Sequence, residues 1–164
     1  MIAAIAHRLM HTTWLIIDGY SLLHRFDPQG ARRPSGLQSA RQKLVRHVEE
    51  IATGQADRVT IVFDGREAGG GEGYESPAVE ILFSPAGRTA DAVIERLVHD
   101  CSTPESIVVV SSDRLERQTV SARGAQTMGC GDFLAEGEQR RRHRPHRTTR
   151  PPPSTLGDYF PEKK

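Results

Sequence analysis

The sequence predicts a three-layer α/β/α sandwich with a mainly parallel central sheet. Three observations favour this fold class. Four short apolar runs suit strands that are buried on both faces. Segments with helical spacing separate most of these runs. The chain of 164 residues has enough length for one core of ordinary size. The predicted order is strand, helix, strand, strand, helix, strand, helix, strand, which is typical of a sheet covered by helices on both sides.

The first half of the chain supplies two strands with a helix between them. Thr13–Asp18 and Arg58–Asp64 are predicted strands, because each places consecutive β-branched, aliphatic or aromatic residues just before an aspartate. Leu37–Thr53 is predicted to be helical, because its apolar residues recur on one side and Gly54 follows as a stop.

The second half repeats the pattern with shorter elements. Val79–Ser84 and Ser106–Ser111 are predicted strands, and Thr89–Asp100 between them is a predicted helix with Thr89 as its N-cap. A third helix is capped by Ser112 or Asp113 and ended by Gly124. The last predicted elements are this helix at Asp113–Arg123, a short fifth strand at Ala125–Met128, and a helical turn or two at Asp132–Glu138.

The distribution of charge divides the chain near residue 137. The whole chain has 22 basic and 21 acidic side chains, but residues 137–164 hold eight of the basic and only three of the acidic ones. This segment has too few apolar residues to offset the entropy cost of ordering, so it is predicted to be a disordered, basic, Pro-rich tail. We therefore expect an N-terminal extension at 1–11, one folded domain at 12–136, and the tail at 137–164.

Several classes of protein are excluded by composition. No apolar run approaches the roughly 18–20 residues that span a bilayer, so a membrane protein is not expected. The N-terminal residues do not resemble a secretory signal, which favours a cytoplasmic location. Cys101 and Cys130 lack zinc-binding spacing and are interpreted as free thiols.

Acidic residues follow the predicted strands. Asp18 ends the first strand, Asp64 ends the second, and Asp113 follows the fourth, while Asp91 and Glu95 lie one turn apart on the helix after the third. Parallel strands bring their carboxyl ends to one edge of the sheet, where ligands bind in such folds. We therefore expect these acidic side chains to converge in space.

A group of carboxylates at one edge repels itself unless a cation lies among them. Oxygen ligands of this kind suit Mg²⁺ or Mn²⁺. Such ions activate water and stabilise charge on a phosphodiester during displacement. The sequence therefore suggests metal-assisted phosphodiester hydrolysis. RNA and DNA both remain open as substrates at this point.

Four segments together resemble the YacP-like NYN domains, relatives of the PIN-domain nucleases. These segments are WLIIDGYSLLHR (Trp14–Arg25), VTIVFDG (Val59–Gly65), VEILFSPAGRTADAVIE (Val79–Glu95) and VVVSSDRLE (Val108–Glu116). The resemblance covers roughly residues 12–136 and implies a PIN-like fold with a metal-dependent ribonuclease or RNA-binding role.

The resemblance also implies roles for individual residues. Asp18, Asp64 and Asp113 would hold the metal, and Asp91 would join them as a catalytic acid. The supporting residues that it implies are Ser21, Glu95, Ser111 and Ser112. Ser21 stands where the family's opening motif usually has Asn, and its shorter hydroxyl still hydrogen-bonds.

Each acid also has a simpler explanation. Asp113 fits a helix cap. Asp91 and Glu95 fit a solvated first turn that interacts favourably with the helix dipole. Asp64 with Gly65 fits a turn pair. On the Leu37–Thr53 helix, we favour a solvated face over RNA contact for Arg41, Lys43 and Arg46.

The tail contains two further candidate functions. Its arginine-rich part is predicted to bind RNA phosphates, with a solubilising tail as the alternative, through Arg140, Arg141, Arg142, Arg144, Arg147 and Arg150. Its last apolar residues are predicted to dock a protein partner or to pack back on the domain; they are Leu156, Tyr159 and Phe160.

Together these expectations describe a cytoplasmic, Mg²⁺- or Mn²⁺-dependent endoribonuclease that attacks RNA with a metal-activated water. The alternative is a non-catalytic adaptor that associates with RNA or the ribosome and uses the tail.

Overall fold

Five strands and six helices form the part of the chain that the structure, a computed structural model, describes: residues 12–65 and 76–143. The strands are β1 Thr12–Asp18, β2 Ala56–Phe63, β3 Glu80–Phe83, β4 Ile107–Val110 and β5 Gln126–Met128. The helices are α1 Gly19–Phe26, α2 Pro28–Arg32, α3 Leu37–Ala52, α4 Ala90–Asp100, α5 Arg114–Ala122 and α6 Cys130–His143.

The strands form one parallel sheet in the order β3-β2-β1-β4-β5. In the central strand, Ile17 lies opposite Ile61 on one side and Val110 on the other. The chain adds β2 and β3 on one side of β1, and β4 and β5 on the other. The strand order therefore reverses beside β1, and the carboxyl ends of β1 and β4 border the crevice where such sheets bind ligands.

Two hydrophobic cores cover the two faces of the sheet. Leu15 and Ile17 of β1 are fully buried against α1, α3 and α6. Ile16, which lies between them in sequence, is fully buried on the opposite face against α4 and α5. Successive strand residues point to opposite faces, so an unbroken apolar run fills both cores. The predicted α/β/α sandwich is confirmed.

The predicted helix ends are found with small changes. Thr89 caps α4 by accepting a hydrogen bond from the Ala92 N–H at 3.3 Å. Asp113, rather than Ser112, caps α5. Gly124 follows α5 with a positive φ of 102°, a conformation that favours glycine at the end of a helix.

The first two helices, α1 and α2, are absent from the sequence-based prediction. Asp18 caps α1 by accepting from the Ser21 N–H, and Asp27 caps α2 by accepting from the Gly30 N–H. α1 spans only eight residues, so its apolar pattern is too short to stand out. Burial of Leu22 and Leu23 stabilises this helix, which is too short to be stable through intrinsic helix propensity alone.

The predicted start of disorder at residue 137 is wrong. α6 continues to His143, and Gly137 is buried in it against Ile51 of α3. Three of the predicted RNA-binding residues belong to this helix rather than to a disordered arm. Each is ion-paired with an acid one turn earlier: Arg140 with Glu136, and Arg141 and Arg142 with Glu138 at 3.1 and 3.5 Å. These i,i+3 and i,i+4 pairs support the helix.

Several predicted features lie outside the described residues. They are the extension at 1–11 and the tail residues Arg144, Arg147, Arg150, Leu156, Tyr159 and Phe160. Among the helices of the described part, none has the length and apolar composition that crossing a bilayer requires.

Candidate metal centre

The carboxyl ends of β1, β2 and β4 lie side by side. Asp18, the last residue of β1, is opposite Val62 of β2, so Asp64 follows two positions beyond it. Ser111 comes directly after β4, whose Val110 is opposite Ile17. The register thus brings residues from three distant parts of the chain to one edge of the sheet.

Asp18 is held in place by its own helix cap. Its Oδ1 accepts a hydrogen bond from the backbone N–H of Ser21 at 3.2 Å, and its Oδ2 accepts one from the Ser21 hydroxyl at 2.7 Å. The side chain is 7% exposed. These two hydrogen bonds from Ser21 fix the orientation of the Asp18 carboxylate. Ser21 stands in the position where the family's opening motif usually has Asn, and it can still donate to this carboxylate.

Gly19 allows the chain to turn closely past β2. A Cβ atom at this position would lie 2.4 Å from Cδ1 of Phe63, well inside van der Waals contact. The absence of a side chain lets the start of α1 pack directly on the residue that precedes Asp64. The two acidic strand ends are therefore positioned by one tight contact.

Three carboxylates converge at this edge. Oxygen atoms of Asp18, Asp91 and Glu116 all lie within 4.8 Å of one another. They come from the end of β1, the first turn of α4 and the first turn of α5. This spacing is suited to a single cation held by oxygen ligands.

Glu116 is the most strongly perturbed acid of the group. It is 3% exposed, and burial is the main reason that its pKa is raised to about 8. The nearby Ser111 hydroxyl opposes this rise, whereas the negative charges of Asp18, Asp91 and Asp113 add to it. Within the described residues, neither oxygen of Glu116 has a hydrogen-bond partner of regular geometry.

Asp91 responds to the same crowding. Burial raises the pKa of its carboxyl, and the charges of Asp18, Asp113, Glu95 and Asp64 raise it further. Repulsion of this kind shows that the acids act on one another electrostatically. A divalent cation among them would reverse the effect, because it favours the ionised form of each carboxylate.

The donor set therefore fits a hard divalent cation. All three groups offer carboxylate oxygen, the preferred ligand of Mg²⁺ and Mn²⁺. The Ser111 hydroxyl lies near the two buried oxygens of Glu116, but neither oxygen has a hydrogen-bond partner of regular geometry in the described residues. Buried carboxylate oxygens normally have such partners, and a cation would supply what is missing.

The other predicted site residues lie around this group. Asp113 is exposed, and its Oδ1 accepts hydrogen bonds from the N–H groups of Leu115 and Glu116 at 2.8 and 3.3 Å, as a helix cap does. Asp64 and Glu95 are half-buried and close enough to raise the pKa of Asp91. None of the three belongs to the group within 4.8 Å.

The two predicted supporting serines differ in their environment. Ser111 is fully buried, and its Oγ accepts from the Asp113 N–H at 3.0 Å, which fixes the turn that leads into α5. Ser112 is exposed, and its hydroxyl interacts with the Cys130 thiol. Burial raises the pKa of that thiol to about 11, so it stays protonated. Both cysteines are free, as predicted.

Sequence reasoning did not single out Glu116. A signal was present, because Val120, one turn later on α5, is a buried apolar residue. Helical spacing of four places Glu116 on the same inward face. An acid on the buried face of a helix, three residues after a capping Asp, is the pattern that would have identified it.

The predicted solvated face on α3 is correct for Arg46 and Lys43, which are exposed, and wrong for Arg41. Arg41 is 2% exposed and donates a hydrogen bond to the Tyr20 hydroxyl. Its guanidinium lies 5.5 Å from the centre of the Tyr20 ring and 5.8 Å from that of Phe63. It is part of the packing beneath the acidic edge and is not available to RNA.

Known proteins resemble this chain in sequence and in fold. The sequence model of the YacP-like NYN domain matches residues 15–155. YacP of Bacillus subtilis (strain 168) is 27% identical over 126 residues, which cover 76% of this chain and 74% of YacP. A crystal structure of a single mutant of Rae1 (YacP) from Bacillus subtilis has a TM-score of 0.65 at 25% identity, covering 80% of this chain and 78% of Rae1. A second Rae1 (YacP) structure has a TM-score of 0.63 at 25% identity, covering 80% and 76%.

Proposed function

The chain belongs to the YacP-like NYN domain family, and we propose that it is a metal-dependent endoribonuclease that hydrolyses RNA phosphodiester bonds with a metal-activated water. NYN domains are typically nucleases that act on RNA. One observation carries the proposal for this chain: Asp18, Asp91 and Glu116 meet within 4.8 Å at the ligand-binding edge of the sheet.

In the proposed mechanism, these three carboxylates hold Mg²⁺ or Mn²⁺. When bound, such an ion lowers the pKa of water and offsets the negative charge of the phosphodiester. Asp18 is kept in one orientation by Ser21. Glu116 supplies a buried carboxylate, and a cation would provide the opposite charge that a buried charge requires.

The remaining acids act around the ion in this proposal. Asp64 and Asp113 stand near Asp91, at the rim of the group, and add to the negative potential there. That potential attracts the cation and repels phosphate, so a phosphate is proposed to enter the acidic centre only when the ion is in place. Ser111 fixes the turn that carries Asp113 and Glu116.

The test is cleavage of single-stranded and structured RNA with Mn²⁺, by the wild-type chain and by Asp18→Asn. Asn preserves the helix cap but removes the charge. The expected result is Mn²⁺-dependent cleavage that Asp18→Asn lowers at least a hundredfold. A matched control is Asp57→Asn, which changes an exposed aspartate at the other end of β2 and should retain full activity.

Two results would contradict the enzyme. One is the absence of cleavage with either substrate, and the other is equal cleavage by the wild-type chain and Asp18→Asn. RNA binding that persists without cleavage would instead favour the adaptor function. A DNA substrate of the same sequence, tested in parallel, distinguishes ribonuclease from deoxyribonuclease activity.

A further inference from the structure

A polar cavity lies along α5. Its volume is about 320 Å³, and it is lined by Arg114, Arg117, Gln118, Ser121 and Thr127. All five side chains carry hydrogen-bond donors, two of them are cationic, and none is acidic. Three other surface cavities formed by described residues each include a carboxylate, from Glu50, Glu95 or Glu49. The α5 cavity therefore has the lining expected of a site for an anion.

The two arginines of this cavity are not engaged by acids of the described chain. Arg58, Arg96 and Arg141 form ion pairs at 2.8 to 4.0 Å, whereas Arg114 and Arg117 form none with a described residue. The Nε of Arg117 is buried without a hydrogen-bond partner among those residues. A guanidinium offers a planar set of donors that matches the geometry of a phosphate.

The cavity and the acidic centre share helix α5. Glu116 lies between Arg114 and Arg117 on the same helix, so the inward residue and the outward ones are neighbours in sequence. Both groups act on the same thiol: Asp18 and Glu116 raise the pKa of Cys130, and Arg117 lowers it. A strand whose phosphate lies at the acidic centre would continue across the first turn of α5.

We propose that the α5 cavity binds a backbone phosphate of the RNA strand, adjacent to the phosphate at the acidic centre. This subsite rests on the proposed nuclease function and adds a second phosphate contact to it. The acidic centre takes one phosphate with its cation, and Arg114 and Arg117 take the neighbouring phosphate without one. Gln118, Ser121 and Thr127 supply neutral donors that complete the hydrogen bonding. The contacts are to phosphate and carry no base sequence.

The test measures binding rather than cleavage, so that it stands apart from the nuclease proposal. The full-length chain carries Asp18→Asn to prevent turnover, and a fluorescent single-stranded oligoribonucleotide is titrated in EDTA at several NaCl concentrations. Adding Arg114→Ala and Arg117→Ala is expected to weaken binding severalfold. It should also lower the slope of log affinity against log salt by about 0.7, the value for one lost phosphate contact on a single strand.

Two further variants make the result specific. Arg46→Ala with Arg96→Ala removes the same charge from exposed positions on α3 and α4, and should leave the slope unchanged. Arg114→Lys with Arg117→Lys retains the charge and should restore most of the slope, which a general loss of structure would not allow. Thermal unfolding confirms that each variant folds.

The subsite is overturned if Arg114→Ala with Arg117→Ala leaves the salt slope unchanged. It is also overturned if Arg46→Ala with Arg96→Ala lowers the slope by the same amount. If the wild-type chain fails to cleave RNA but the Arg114 and Arg117 variant still has a lower salt slope, the nuclease proposal fails and the phosphate site remains. If the wild-type chain cleaves RNA and this variant binds it normally, the phosphate site fails and the nuclease proposal remains. Tighter binding of DNA than of RNA of the same sequence would overturn the assignment to RNA.

Discussion

Replacing Glu116 with Gln tests two effects of this carboxylate separately: its effect on folding stability without metal and its contribution to metal binding. In the metal-free protein, burial raises the pKa of Glu116 from 4.5 to about 8, so the folded state holds its proton more tightly than the unfolded chain does. A folded-state pKa above the unfolded value gives stability that is complete below pH 4.5 and is lost as the pH rises to 8. Gln carries no titratable proton, so Glu116→Gln removes this loss.

The size of the effect follows from the shift. Each pH unit between the two pKa values costs about 1.4 kcal/mol of folding stability. Between pH 6 and pH 8, with the carboxyl half ionised at the upper limit, Glu116 accounts for about 2 kcal/mol as an upper value. For a domain of this size, about 2 kcal/mol corresponds to roughly 6–10 °C in melting temperature. Glu116→Gln should therefore lose less stability over this range than the wild-type chain.

The assay is thermal or urea unfolding in EDTA at pH 6 and pH 8, repeated with Mn²⁺ at pH 8. Without metal, Glu116→Gln is expected to be the more stable protein at pH 8. With Mn²⁺, the wild-type chain should gain stability and the variant should gain little, because a ligand is missing. Glu105→Gln, at an exposed position, should follow the wild-type chain in both arms. Parallel pH dependence of Glu116→Gln and wild type, or an equal gain from Mn²⁺, would refute the reasoning.

Three other changes give distinct outcomes. Ser21→Ala removes the 2.7 Å hydrogen bond to Asp18 and should weaken Mn²⁺ binding, measured by calorimetry, about tenfold. Ser21→Asn can still donate to Asp18 and should lose less affinity, so equal losses in the two variants would contradict this role. Gly19→Ala would place a Cβ 2.4 Å from the Phe63 ring and should cost about 1–3 kcal/mol in urea unfolding, while Gly36→Ala, with 3.6 Å to its nearest neighbour, should be near neutral. Arg41→Ala should cost about 2–4 kcal/mol, because it opens a cavity beside the Tyr20 and Phe63 rings, and Lys43→Ala at an exposed position on the same helix should change stability by less than about 0.5 kcal/mol.

The sequence predicts the sheet well because the strands are buried on both faces. A run such as Leu15–Ile17 must be apolar throughout to fill two cores, and this makes each strand visible without knowledge of its neighbours. The caps at Thr89 and Asp113 are equally local, since each accepts hydrogen bonds from residues two or three positions later. Features that depend on such short distances can be predicted from one sequence.

The features that were missed depend on tertiary contacts. α1 is too short to be marked by its own periodicity and is stabilised by burial of Leu22 and Leu23. α6 continues past residue 137 because Gly137 fits against Ile51, a residue 86 positions earlier in the chain. Helical spacing from Leu37 and Val45 places Arg41 on the apolar face of α3, but only the fold shows that Tyr20 provides the partner that a buried guanidinium needs. In each case the deciding partner is distant in sequence.

The charges on α5 provide the strongest physical reason to expect a cation. Glu116 has arginines at positions 114 and 117, and either one could neutralise it if it pointed inward. Neither does so, because neighbouring residues on a helix point about 100° apart. The pKa of Glu116 consequently stays raised by burial and by three acids, while the arginines border a separate cavity. Because no cationic side chain of the helix neutralises Glu116, a cation from solution can bind there. Because Arg114 and Arg117 border a separate cavity, they can bind an anion.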